Sequence, residues 1–420
     1  MNLIFFAQGR TLEIFYQLLL RIEKQTQIGK IGFYVAGIDF YESFLKKYPG
    51  FENKYFILKE WDIYRDALSH GPNLDKITEY ERRIGNPTLW TPIVTDRRLW
   101  YGSKMNYRQD YKPRFSKKMQ LALLDIAIPR IESLFDEVMP DAICTIYTAT
   151  FGDCLGQMIA KNRGIKGLDL RLTRQKNYVM FCDGVKEPDP YISKIYHKFL
   201  KEGVPPEIKK LSEEYLDAFS KKKQIYEGNP LAGLVKQKNK TSIPIKKIFT
   251  KPFEMIAKYF KYKTPPYCFD FHDLGTFKPV LYRQFLNPLH ANIIKRRLKK
   301  ELLALNEIKE LDFILYPLHM EPEIVLAQFA RPFLNQIEVI RNICLSMPVG
   351  MTLLVKEHPR MLGRRSWGYY KKLLEIPGVK IADFSISSED LLKFCKLVVI
   401  IRGTIGLEAA IAKKPVITLG

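Results

Sequence analysis

Three observations predict an α/β protein with a parallel sheet in each half. Short apolar runs alternate with segments of helical period along the chain. The runs near the C-terminus are apolar at both alternating positions, the pattern of strands covered on both faces. The length, 420 residues, exceeds what one core usually serves, so two domains are expected. With 46% apolar and 13% aromatic residues, the chain can fill two cores.

The first element is "LIFFA" (3–7), a strand, followed by "TLEIFYQLLLRIEKQ", whose apolar residues recur at helical spacing with Thr11 as N-cap. "IGFYVAG" (31–37) is the next strand. Residues 55–115 are rich in Trp, Tyr and Arg, and "NPTLWTPIVTDRRLWYG" has no clear period. "DAICTIYT" (141–148) then reads as a strand, "GDCLGQMIAKNRGI" as its helix, and "KGLDL" (166–170) as another short strand. Residues 190–300 turn helical and lysine-rich, with Pro and Gly breaks. Five further strands follow: "LDFILYPL" (311–318), "MTLLVKEH" (351–358), "VKIAD" (379–383), "LVVII" (397–401) and "PVITL" (415–419). The expected division is a sheet domain over 1–190, a helical basic insertion over 191–305, and a second sheet domain over 306–420.

Charge narrows the partners. Lys+Arg number 67 against 45 Asp+Glu, a net +22, which favours an anionic partner: nucleic acid, an acidic membrane or phosphorylated substrates. A lysine-rich proteome is the bland alternative. None of the six cysteines forms a C-x-x-C pair, so free thiols in a reducing compartment are expected, not disulfides or zinc. No apolar stretch approaches the ~18–20 residues of a membrane span. "MNLIFFAQGR" is too short for a signal-peptide core. The expectation is a cytoplasmic protein, with a peripheral place on an acidic inner membrane as the further option. The segment for that contact is "IPIKKIFTKPFEMIAKYFKYK" (243–263). Phe249, Phe253 and Phe260 follow its apolar period, while Lys246, Lys247, Lys251 and Lys258 mostly fall elsewhere on the wheel, as interfacial binding requires. The alternative is an ordinary surface helix.

Candidate chemistry gathers at strand ends. After "LVVII" come Arg402, Gly403 and Thr404, and then the helix "IGLEAAIAKK". A helix that opens directly after a strand aims its free N–H groups over the sheet edge, an anion site. Gly403 lets a phosphate approach the backbone, Thr404 caps or donates a hydroxyl, and Arg402 adds charge. Glu408 can accept hydrogen bonds from the vicinal hydroxyls of a ribose. In "VKEHPR" (355–360), Lys356 and His358 share a face if the strand runs that far, and His358 can donate to a phosphate. Ser387 and Ser388, before "EDLL", either cap a helix or line the same crevice. In "YPLHMEPE", His319 and Glu321 fall in the loop at the sheet edge, ahead of a helix opened by Pro322 and Glu323. A metal held by His319, Glu321 and Glu323 is the weaker reading.

The four motifs "YPLHMEPE", "KEHP", "SISSEDLL" and "RGTIGLEAAIAKKPVITLG", in this order, resemble the capsular polysaccharide synthesis family, which includes Kdo transferases. The resemblance is sharpest over 311–420. It implies a GT-B-like fold, two Rossmann-like domains facing across a cleft, with a nucleotide-sugar donor on the C-terminal one and CMP- or CDP-linked donors ahead of UDP-linked ones. It implies His358 on the donor phosphate, Gly403 and Thr404 as the phosphate turn, Glu408 on ribose or base, and Glu321 at a loop position where many relatives have Gln. It also implies a C-terminal domain that continues past Gly420, so that the chain reads as incomplete there.

The expected function is a metal-independent glycosyltransferase without cofactor, moving a sugar, Kdo as first candidate, to a glycan or lipid-linked acceptor. The catalytic carboxylate, base or nucleophile, is Asp153 at the start of the helix after strand 141–148, with Glu13 second. Both also suit a plain first helical turn. Two rivals are a CDP-polyol phosphotransferase with the same donor site and a non-catalytic protein that binds anionic glycan or nucleic acid. No RNA-binding motif is present, so specific nucleic-acid recognition is not expected.

Overall fold

The computed structural model describes residues 1–85, 88–100, 114–173, 178–184, 190–222, 256–271, 286–321 and 323–420. The chain forms two compact units, 1–100 with 113–277, and 101–112 with 278–420.

The sheet of the first unit has six strands: β1 (Leu3–Gln8), β2 (Ile31–Ala36), β3 (Phe56–Lys59), β4 (Ala142–Ile146), β5 (Lys166–Leu172) and β6 (Val179–Asp183). Their order is β3-β2-β1-β4-β5-β6, parallel except for antiparallel β6. Alternation along β1 explains both layers. Ile4 and Phe6 enter one core with the helices Lys117–Val138 and Phe151–Asn162, while Leu3, Phe5 and Ala7 pack against Leu12, Phe15 and Leu19. Helix Phe151–Asn162 lies close on the sheet because Gly152 and Gly156 face it: a Cβ at either would collide with the ring of Tyr34 or Phe6.

The second sheet comprises β7 (Leu302–Leu303), β8 (Phe313–Pro317), β9 (Thr352–Lys356), β10 (Val379–Ala382), β11 (Leu397–Ile400) and β12 (Val416–Thr418), in the order β12-β11-β8-β9-β10-β7. Every pairing in it is parallel. Again alternate residues serve two cores, Val399 one and Val398 with Ile400 the other. The expected α/β architecture with a mostly parallel sheet in each half is therefore present.

The differences have local causes. β7 is a two-residue edge strand, too short to show a period. β3 and β6 are edge strands with mostly exposed or half-buried residues. Thr11 is the first helical residue, not the cap; its Oγ1 accepts from Gln8 N at 2.7 Å and donates to Gln8 O at 3.0 Å, closing the turn after β1. All six cysteines are free, four of them buried.

Topology places the sites. In each sheet the chain steps outward on one side (β1 to β2 to β3; β8 to β9 to β10), then continues on the other side with β4 or β11. Helices leave the two flanks in opposite directions at such a switch point, and the crevice opens above the carboxyl ends. The switch points fall between β1 and β4, and between β8 and β11.

Candidate functional site

At the second switch point, β11 runs into Arg402 and Gly403 and then the helix Thr404–Ile411, seated by buried Ile405 and Ala409. Gly403 is the N-cap, and no side chain caps the helix. Its φ of 163° is extended backbone open to any residue; what glycine supplies is room. A Cβ there would stand 3.1 Å from Ile400 Cδ1 and 3.9 Å from His319 Nε2. Arg402 is exposed, its guanidinium 4.6 Å from the Phe329 ring centroid. One turn into the helix, Glu408 is 9% exposed, and burial pushes its carboxyl up to about 7 against the pull of the Thr404 hydroxyl.

His319 bridges the switch point. Its Nε2 accepts from Arg402 N at 3.1 Å and also meets Arg402 O. Burial lowers its pKa, so it is neutral. The ring thus holds the Arg402–Gly403 turn instead of facing a ligand. Its own backbone is held on both sides: N donates to Gln336 Oε1 at 2.7 Å, and O accepts from Arg365 Nη2 at 2.5 Å.

Arg365 is the centre of this arrangement. It is 2% exposed, with Nη1 2.6 Å from Glu321 Oε2 and Nε 3.0 Å from Glu357 Oε2. Burial opposes its charge, and Glu357 and Glu321 outweigh burial, raising its pKa further. Glu321 also accepts from Gln336 Nε2 at 2.5 Å, so both its oxygens are used inside the protein, and it supports the loop from beneath. Glu357 accepts from Tyr370 OH at 2.7 Å and from His358 N at 2.5 Å. One buried arginine therefore ties together the loops after β8 and β9 and, through His319, the turn after β11.

His358 is half-buried, and its Nδ1 accepts from Arg360 N at 3.2 Å. That bond puts the ring proton on Nε2, which has no hydrogen-bond partner among the described residues. Burial first, then Arg360 and Arg365, hold its pKa down at about 4. At neutral pH the residue is an uncharged N–H donor. β9 ends at Lys356, so the expected shared face does not extend to His358. Lys356 is buried, and its Nζ donates to Phe384 O at 3.2 Å. Ser387 caps the helix Ser388–Phe394, accepting from Asp390 N at 3.0 Å, while Ser388 is half-buried at its first position.

At the first switch point, Gln8 ends β1 and its Nε2 donates to Asp153 Oδ1 at 2.8 Å and to the Thr150 hydroxyl. Gly9 follows with φ 55°. β4 is followed by two non-glycine residues in the left-handed region, Tyr147 (φ 57°) and Thr148 (φ 41°), a conformation that costs about 1–3 kcal/mol each. Side chains hold it there: Thr148 Oγ1 donates to Asp169 Oδ1 at 3.0 Å, and Tyr147 OH accepts from Leu172 N at 3.1 Å. Asp153 is 3% exposed, and burial pushes its carboxyl well above its usual range against the hydrogen bonds from Thr150 and Gln8. Glu13 does not join it: it binds Lys47 Nζ and Tyr48 OH, each at 2.7 Å, on the outer side of its helix.

Several of these residues escape the sequence reading. Gln8 and Thr150 flank Asp153 without any motif. Asp96 and Arg98 lie in the stretch without period, yet Asp96 Oδ2 accepts from Phe151 N at 3.0 Å and so anchors the Asp153 helix, with buried Arg98 bound to Asp96 and Glu60. Glu357 and Arg365 carry no signal except their charge.

The membrane segment is described only from 256 on. Lys246, Lys247, Phe249, Lys251 and Phe253 lie outside the described residues. Residues 256–261 are helical, but Lys258 and Lys261 turn to Asp39 at 3.5 and 2.7 Å, and Tyr262 OH joins at 2.9 Å. Lys258 thus faces a carboxylate of its own unit, while Phe260 is 62% exposed. Among the described residues no helix is long and apolar enough to cross a membrane, and no group of three or more His, Cys, Asp or Glu side chains could hold a metal.

The second unit is thus a doubly wound α/β domain with an uncapped helix N-terminus and a neutral histidine at its carboxyl edge. Residues 253–420 match the family described as capsule polysaccharide biosynthesis protein. The four sheet-edge motifs lie within that span. No curated protein matches the chain. Among solved structures, KpsC from Thermosulfurimonas dismutans, a beta Kdo 2,7 transferase, is 20% identical over 34% of this chain and 45% of its own, with a TM-score of 0.22. The chain therefore spans less than half of that protein. A UDP-GlcNAc 2-epimerase from Methanocaldococcus jannaschii is 15% identical over 100% of this chain and 84% of its own, TM-score 0.23. The glycotransferase of kitacinnamycin is 12% identical over 99% and 80%, TM-score 0.23.

Proposed function

We propose that the protein is a glycosyltransferase of capsule or surface polysaccharide biosynthesis. It takes a sugar, Kdo as first candidate, from a nucleotide-activated donor, CMP-linked first, and gives it to a glycan or lipid-linked acceptor. The observation that carries this reading is the way Arg365 and His319 fix the β9 loop and the β11 turn to each other, in a domain that matches the capsule family. The donor phosphate receives the His358 Nε2–H and the first-turn N–H groups of Thr404–Ile411, while Glu408 accepts from the ribose hydroxyls. These groups, not a metal, offset the charge that develops on the leaving phosphate. The acceptor and the carboxyl of Asp153 belong to the first unit. An acidic inner membrane surface is the further partner, for which the net +22 argues.

Calorimetry of CMP, CDP and UDP tests the donor site. Wild type is expected to bind a cytidine nucleotide, and His358→Ala to lose about 1.5–3 kcal/mol, roughly a tenfold to hundredfold rise in Kd. Binding of all three nucleotides untouched by the substitution sinks the assignment of His358. Product analysis with CMP-Kdo and CDP-glycerol separates sugar transfer from polyol phosphate transfer.

Glu408 gives a pH signature. Its folded pKa, about 7, lies above its ordinary value, so the proton is held in the fold until pH passes neutrality. Only the ionised form accepts two hydroxyl hydrogen bonds well. Nucleotide affinity is therefore expected to rise several-fold from pH 6 to pH 8, and Glu408→Gln to flatten that rise. Equal slopes in the two proteins would remove Glu408 from the site.

A further inference from the structure

The helix Pro190–Glu202 of the first unit exposes apolar side chains on both sides of a half-buried centre. Tyr191 is 69% exposed, Ile192 51%, Tyr196 59% and Leu200 65%. At 3.6 residues per turn these four, with Ile195 and Phe199, cover about half of the helix circumference. Ile195 and Phe199, at the middle of that face, are half-buried. Lys194, Lys198 and Lys201 fall together on the opposite side. The turn to the next helix, Pro206–Lys222, adds Val204 at 48% exposure, and Leu211 of that helix is 61% exposed. Exposed apolar side chains gathered on one helix in this number mark an interaction or membrane surface.

We propose that this helix is the surface by which the protein lies on an anionic lipid bilayer. An apolar face with tyrosine and phenylalanine, backed by lysines whose long stems can snorkel to the headgroups, is the arrangement that seats a helix in the plane of the interface. Tyrosine suits that depth because its ring is apolar and its hydroxyl wet. The charge is complementary: the helix carries three lysines against Glu202, which lies 3.7 Å from Lys198, leaving a net positive helix that an anionic surface attracts. A second copy of the chain fits less well. A two-fold contact would set the same lysine-flanked patch against itself, and lysine is depleted from interface cores. The inference rests on the membrane part of the reading above and not on the donor site. Of the lysines in residues 243–263 that the structure describes, Lys258 and Lys261 are engaged with Asp39.

The test uses the full chain and vesicles of phosphatidylcholine with or without phosphatidylglycerol, which supplies the anionic surface. Wild type is expected to sediment with the anionic vesicles and to be released by salt. Tyr196→Glu with Leu200→Glu should lower the partition about tenfold or more, because two charges replace apolar contacts. Lys194→Glu with Lys198→Glu should lower it by a similar factor and weaken the salt dependence. These side chains lie on the surface, so the thermal midpoint and nucleotide binding of both variants should match wild type. Vesicle binding that survives both double substitutions overturns the assignment to this helix. No vesicle binding by wild type overturns the membrane reading itself, while nucleotide binding stands apart from either result. A wild-type dimer that Tyr196→Glu with Leu200→Glu splits into monomers, without vesicle binding, replaces the bilayer with a second copy.

Discussion

Replacing Arg365 with methionine is expected to destabilise the second unit by about 3–5 kcal/mol, the usual cost of leaving partners of a buried ion pair uncompensated. Methionine nearly matches the stem of arginine, so the loss is chiefly electrostatic. Glu321 and Glu357 would then sit buried without their cation, and burial already holds the Glu357 carboxyl above its ordinary range. The His319 carbonyl would lose its donor as well. Two readouts follow. The urea midpoint of the unit should fall, and nucleotide affinity should fall with it, because the loop bearing His358 and the turn at Gly403 lose their common anchor. Adding Glu321→Gln and Glu357→Gln to the methionine variant should recover part of the stability, since neutral amides cost less to bury than unpaired carboxylates. It should recover less of the binding, because amides do not restore the links to His319. An Arg365→Met protein as stable as wild type would mean that the network adds nothing to the fold.

That network shows where sequence reading stops. The strands of the second half are legible because both faces are covered, so each is a plain apolar run, and its carboxyl end names the loop that meets the crevice. His358 and the Gly403 turn follow from that placement alone. Arg365 does not. It is one of three arginines within six residues, with Arg360 and Arg364, and nothing in the local pattern says which of them the fold will bury. Lys356 differs in the opposite sense: the face expected for it and His358 ends with it, because it is the last residue of β9 and its Nζ donates to the Phe384 carbonyl. The same holds in the first unit. Asp96 and Arg98 sit in a stretch without period because Asp96 joins two short helices and Arg98 lies in the second, and their partners Glu60 and Phe151 lie 38 and 55 residues away in sequence. Side-chain pairs of that separation are set by topology, which periodicity does not encode.

Asp153→Asn is expected to give a protein more stable than wild type at pH 8 and inactive in transfer. The sign follows from burial. The folded pKa of Asp153 is raised, so the fold keeps the proton where the unfolded chain releases it. The stability this group contributes is fully present below the ordinary carboxylate range and is lost as pH rises through the folded value. Asparagine imitates the protonated acid, can still accept from Gln8 Nε2, and has no proton to lose. Its advantage over wild type, read from urea midpoints, should therefore be small near pH 4 and grow toward pH 8. Activity moves the other way. A catalytic carboxyl contributes about 10²–10⁴-fold as a general acid or base, and an amide supplies neither. Since the resting fold holds the proton, a base role requires ionisation first, and kcat/KM should climb as pH rises toward the raised folded value. Equal growth of stability with an unchanged rate in Asp153→Asn would leave this residue as a buried part of the Gln8–Thr150 junction, and would send the search for the base to the other groups at that switch point. The strained Tyr147–Thr148 turn makes the second outcome the harder one to explain, because about 1–3 kcal/mol per residue is seldom kept where the backbone has no task.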